Sequence, residues 1–204
     1  MSAFLQGILM GLTITVSLGP GFIALFQTSV LKGVKAGFVM AVGILISDLT
    51  LISISYFGIA NLIHKDNYQI MGFVAGLILI ITGAIYLFRK TSLNVDNPKQ
   101  VLNLKSSLSS LLIKGFLLNL ANPFCLIFWI GIMGFAASNY GMHSYRFFIF
   151  FFGLLLTAFS SDLLKCYLSG SLKKILASKA IVYLNKAMGL ALMLIGLFII
   201  CKVL

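Results

Sequence analysis

Residues 42–53, VGILISDLTLIS, carry an aspartate inside an apolar run long enough to cross a bilayer. Residues 156–167, LTAFSSDLLKCY, do the same. An ionised carboxylate at membrane depth is costly, so Asp48 and Asp162 mark a substrate or proton pathway by default. The tripeptide SDL of 47–49 returns at 161–163, and the Gly-Pro of 19–20 is echoed by an Asn-Pro at 122–123. The chain reads as two related halves.

Composition agrees with a membrane chain. Of 204 residues, 60% are hydrophobic and 9% charged, with a mean hydropathy of +1.10. A soluble domain carries about a quarter charged residues. A helix needs roughly 20 apolar residues to span the hydrocarbon. Six segments qualify, at about 3–31, 36–63, 68–88, 111–138, 147–168 and 181–201. They use most of the chain, so the expectation is an all-α integral membrane fold in one domain, 1–204. The first segment lacks a basic n-region and is too long for a signal-peptide core, so it is expected to stay as a span. Six short spans make a small bundle, of a kind that a homodimer stabilises.

The net charge of +11 raises the question of nucleic acid, and its distribution answers it. With six spans, Lys and Arg divide twelve to three. Lys65, Arg146 and Lys202 fall on the poorer side. That asymmetry is the positive-inside rule. It places the loops after segments one, three and five in the cytoplasm and both termini outside, in the inner membrane. The basic excess orients the chain in lipid, and no nucleic-acid partner is expected.

Residues 89–110, RKTSLNVDNPKQVLNLKSSLSS, divide the chain nearly in half. Repeat one covers about 1–90, a cytoplasmic linker about 91–110, and repeat two about 111–204. Part of the linker, KQVLNLKSSLSSLL, has the pattern of a short amphipathic surface helix. The halves align at an offset of 113, which sets GLILIITG (76–83) on GLALMLIG (189–196), while Asp48 and Asp162 differ by 114. Three spans per repeat force the second repeat to enter from the opposite side. The result is a pair of inverted three-helix repeats, a plan that puts a transport site near the midplane.

Segments one and four are broken helices. SLGPGF (17–22) sets two glycines around a proline, and NLANPF (119–124) adds two asparagine amides. Proline removes a backbone donor, and freed backbone groups survive in lipid only against protein or a wet cavity. Paired breaks in two halves point to the site. The expected pathway residues are Gly19, Pro20, Gly21, Asn119, Asn122, Pro123, Asp48 and Asp162, with Lys165 beside the last. Lys165 lies at i+3 from Asp162, where it can pair with it or snorkel to the interface. Nothing basic lies within a turn of Asp48, so any cationic partner comes from another span. Ser47, Thr50 and Ser53 are its polar neighbours. Trp129 and the many phenylalanines read as packing and lipid contact. So do the small-residue patterns GILMG (7–11) and GFVAG (72–76), whereas GVKAG (33–37) reads as a loop or helix entrance.

Taken in order, SLGPGFIALFQTSVLKGVKAGFVMAVGILISDL (17–49), ITGAIYLF (81–88) and KGFLLNLANPFCLIFW (114–129) resemble the lysine exporter (LysE/RhtB) family of translocators. The resemblance implies export of amino acids or related small metabolites, driven by protons. It implies that Gly19, Pro20, Asp48, Asn119, Asn122 and Pro123 belong to the functional core. Phe22 stands where the family often has a second proline, and the Asp-x-x-Lys of segment five has no counterpart among its hallmarks.

Other functions fit less well. A divalent or heavy-metal exporter would use Asp48 and Asp162 as hard ligands, but no Cys or His cluster accompanies them. Cys125, Cys166 and Cys201 have no metal or redox spacing, and the first half has none to pair with them, which argues against a thiol-electron carrier. No span holds a Ser–His set, so an enzyme is not expected, nor is a bound cofactor or a metal site. For orientation, cysteines introduced at 97 and 175 should resist an impermeant thiol reagent in intact cells, while those at 66 and 143 react. Labelling at 97 would overturn the inverted arrangement.

Overall fold

The computed structural model describes residues 2–15, 20–61, 68–88, 107–169 and 180–203. Among them there are helices and no strand. They are α1 (Ala3–Thr15), α2 (Pro20–Lys32), α3 (Val34–Asn61), α4 (Tyr68–Phe88), α5 (Leu108–Leu120), α6 (Pro123–Tyr140), α7 (Tyr145–Tyr167) and α8 (Ala180–Val203). The helices fall on the six apolar segments, with α1 and α2 sharing the first and α5 and α6 the fourth. Among the described residues, Val34–Gly58 and Tyr145–Tyr167 are long and apolar enough to cross a membrane. Leu108–Leu120 and Phe124–Tyr140, bent by 65°, make a third if taken as one span. Gly19 and most of the polar linker, including the start of its amphipathic stretch, lie outside the described residues.

Local chemistry sets the helix ends. Ser107 caps α5 by accepting from Ser110 N at 3.3 Å, and Ser144 caps α7 by accepting from Arg146 N at 3.1 Å. Such caps satisfy amides that have no partner within the helix. Gly33 alone separates α2 from α3 and takes φ 88°. Only glycine adopts that region without strain. Pro123 occupies the first turn of α6, where its missing N–H costs nothing, and Asn122 caps the same end. Segment four is therefore interrupted by a capped restart, a break of the kind expected there rather than a proline kink within one continuous helix. The Asn122 side-chain oxygen accepts from Phe124 N at 3.2 Å.

Contacts divide the chain into two units, Met1–Ile59 with Asn94–Lys173, and Ala60–Leu93 with Lys174–Leu204. In the first, a core of Trp129, Met133, Phe147, Phe150, Phe151 and Leu154 is sealed from solvent, and a second cluster gathers Leu25, Met40, Ala41 and Cys166. Lipid offers helices no hydrophobic drive to associate, so close backbone packing at small residues must do it. On α1 and α7, a methyl built on Gly7 would strike the Phe150 carbonyl oxygen, and one on Gly153 would strike that of Phe4. On α3 and α5, Gly43 meets the Leu112 oxygen and Gly115 meets that of Met40. The rule is the same in both pairs. Each glycine faces the carbonyl three residues before its partner glycine.

In the second unit α4 packs along α8. A methyl built on Gly76 or Gly196 would lie within 3 Å of the other's carbonyl oxygen, and the same holds for Gly83 and Gly189. The pairing 76 with 196 and 83 with 189 makes the helices antiparallel. GILMG and GFVAG thus supply packing surfaces, as their spacing suggests, while GVKAG forms the turn into α3. Gly7→Val and Gly43→Val should each lower the unfolding temperature of the solubilised protein, since overpacking costs about 1–3 kcal/mol. Gly131→Ala, with nothing near its added methyl, should be neutral or stabilising. Calorimetry or a thermal aggregation assay reads both.

Candidate functional site

Asp48 sits midway along α3 and is 6% exposed. Its Oδ1 accepts from Asn119 Nδ2 of α5 at 2.8 Å and from Trp129 Nε1 of α6 at 2.9 Å. No cation pairs with it among the described hydrogen bonds and ion pairs; two neutral donors hold it instead. Hydrogen bonds to a charged group are worth about 1.5–3 kcal/mol each. Both reach the same oxygen, so the side chain is pinned by Oδ1.

The donors are themselves held. Cys125 Sγ donates to Asn119 Oδ1 at 3.2 Å and accepts from Asn122 Nδ2 at 3.2 Å. Asn119 closes α5 and Asn122 opens α6, so the chain of bonds runs from the break in segment four to the carboxylate on α3. Polar groups released at the break are used inside the protein, as a low-dielectric setting demands.

The second aspartate lies in the last two turns of α7. Asp162 Oδ1 accepts from Lys165 Nζ at 2.9 Å. Of the two alternatives for Lys165, pairing is the one adopted. Its ammonium also lies 5.4 Å from the centroid of the Phe22 ring of α2, within reach of a cation–π contact.

One cavity collects these groups. Its lining includes Gly21, Asp48, Asn119, Asn122, Asp162 and Lys165. Six residues singled out in the sequence therefore share a wall. Pro20 and Pro123 begin α2 and α6, at the helix ends beside it. Ile14, Thr15, Phe22, Ile44, Cys125 and Ala158 complete the lining.

Two expectations need correcting. Trp129 is not a plain packing or lipid-facing residue: it is fully buried and donates to Asp48. A buried indole N–H seeks an acceptor, and in this apolar setting the carboxylate supplies it. A signal was present, because Asn122, Cys125 and Trp129 follow the i, i+3, i+7 spacing of one helical face. The polar neighbours of Asp48 are also not its partners. Thr50 and Ser53 donate to their own helix, at Ile46 O and Leu49 O, while the buried Ser47 hydroxyl has no partner. Hydroxyls on a helix satisfy themselves one turn back.

Buried carboxylates and an ammonium around a cavity, carried on apolar helices, are the surroundings a membrane translocator needs. The model of the LysE type translocator family matches residues 12–203, and the chain belongs to that family. It is a multi-pass membrane transporter and not an enzyme. A Bacillus subtilis (strain 168) protein described as "Putative amino acid efflux protein YcgF" is 24% identical over 208 residues, covering 97% of this chain and 95% of that protein. No solved structure matches significantly.

The sequence holds a single tryptophan, which makes the contact measurable. Asp48→Asn removes the charge beside the indole and should shift the emission of the purified protein; an unchanged spectrum would place the indole elsewhere. Trp129→Phe keeps the ring and deletes the N–H. Transport should fall about 10- to 100-fold, the equivalent of one hydrogen bond to a charged group.

Proposed function

We propose that this transporter exports amino acids or closely related metabolites across the inner membrane and couples export to protons. The observation that carries the reading is Asp48: a buried carboxylate, pinned through one oxygen, on the wall of a cavity lined by both signs of charge. The similarity to a protein described as an amino acid efflux protein points to the same substrates. An amino acid carries both signs of charge, and the cavity offers both. Its ammonium is received by Asp48. Protonation of Asp48 releases it, so the solute and a proton use the site in turn.

The reading includes two inverted three-helix repeats, with the more basic loops in the cytoplasm and both termini outside. The glycine contacts support it. The Gly7–Gly153 contact of α1 on α7 has a counterpart in the Gly115–Gly43 contact of α5 on α3, at offsets of 108 (115 less 7) and 110 (153 less 43), with the same carbonyl rule. Exchanging the halves returns the α4–α8 pair to itself, since 76 and 189, like 83 and 196, are equivalents at the 113-residue offset. A self-complementary contact of this kind is what a two-fold axis produces. Inverted repeats favour alternating access by rocking of one part against another, and the break in segment four sets the asparagine amides at the site.

Asp48→Asn keeps the shape and hydrogen bonding of the side chain but cannot titrate. The variant should insert normally and keep some exchange of amino acids between equal pools. Its efflux from proteoliposomes should no longer accelerate when a pH gradient is imposed. Undiminished gradient-driven efflux would remove Asp48 from the coupling step.

A further inference from the structure

The cavity is lopsided in charge. Two carboxylates and one ammonium line it, and the ammonium is already spoken for by Asp162 at 2.9 Å. Among the described residues, the hydrogen bonds to Asp48 come from neutral groups. A solute that is only an amine needs nothing more than Asp48. A solute that also carries a carboxylate brings a second charge into a low-dielectric space, where an unpaired ion is expensive. The lining holds one cation to meet it, Lys165.

Several features fit Lys165 for that exchange. Its side chain is 16% exposed and that of Asp162 is 18% exposed, so the pair is neither sealed nor freely solvated. The ion pair involves one oxygen of Asp162, whereas an ammonium has three donors. The Phe22 ring steadies the ammonium from α2, so it need not leave its place when its counter-ion changes. The pair also joins residues one turn apart on a single helix, so swapping the partner requires a side-chain rotation and no helix movement.

We propose that Lys165 is the subsite for a substrate carboxylate and that Asp162 is its resident counter-ion, displaced when the substrate arrives. Asp162 then mimics the substrate in the empty transporter. The consequence is a substrate class: solutes with a free carboxylate next to an ammonium, with carboxamides and simple amines disfavoured. This rests on the amino-acid reading above and narrows it.

The test uses the full chain in proteoliposomes preloaded with unlabelled amino acids. Labelled uptake by counterflow is screened over the twenty common amino acids. The best one is then competed with its unlabelled free acid, its carboxamide and its decarboxylated amine. Wild type should favour the free acid over the carboxamide by about tenfold or more, as one charge-assisted hydrogen bond implies. Asp162→Asn removes the internal competitor, so the free acid should compete at lower concentration than in wild type. Lys165→Met should weaken the free acid and leave the amine unchanged. The double variant Asp162→Asn/Lys165→Met leaves no unpaired charge of this pair, and should treat acid and carboxamide alike. If wild type exchanges no amino acid, the amino-acid reading falls and the subsite with it. If it exchanges amino acids but ranks acid and carboxamide equally, or if Asp162→Asn weakens the acid as Lys165→Met does, the subsite alone is overturned.

Discussion

Everything around the cavity follows from the need to hold one carboxylate in an apolar bundle. An ion in low dielectric must be paired or hydrogen-bonded. Here Asn119 and Trp129 do this with neutral donors at 2.8 and 2.9 Å. A cationic partner would bind the carboxylate tightly and compete with any incoming ammonium. Neutral donors stabilise the charge without cancelling it. The two aspartates thus differ in kind. Asp162 has an ammonium at 2.9 Å, and among the described residues Asp48 has no ion pair.

The interruption of segment four gives those donors their places. A continuous helix would carry Asn119 and Trp129 ten residues apart on one axis. With α5 ending at Leu120 and α6 restarting at Pro123 under a 65° bend, both converge on one oxygen. Asn122 serves twice, capping α6 through its oxygen and bonding Cys125 through its nitrogen. The local chemistry of a helix start and the chemistry of the site are one structure.

Close glycine packing holds the frame in which this occurs. The carbonyl contacts of Gly7, Gly43, Gly115 and Gly153 set α1 on α7 and α3 on α5, and those helices carry Asp48, Asn119 and Asp162. Under the proposed reading, a bundle joined by backbone contacts moves in rigid pieces, since such surfaces tolerate sliding poorly. Alternating access then calls on the break between α5 and α6, where the helix ladder is interrupted.

Much of this was legible in the residues themselves. Apolar runs of span length, the positions of the prolines and two buried aspartates follow from composition and order alone, because the bilayer imposes a length and penalises charge whatever the neighbours are. They located Asp48, Asp162, Asn119, Asn122, Gly21 and Lys165, which share one cavity. The pairing of Lys165 with Asp162 was open because one spacing serves both a salt bridge and a snorkelling lysine. The role of Trp129 was not read, since an indole among phenylalanines gives no local sign of its acceptor. That acceptor lies 81 residues away, and only the crossing of α3 with the bent α5–α6 pair brings it to the N–H. Periodicity and composition report what each helix needs from its surroundings; which group meets the need is decided by helix packing, through contacts distant in sequence.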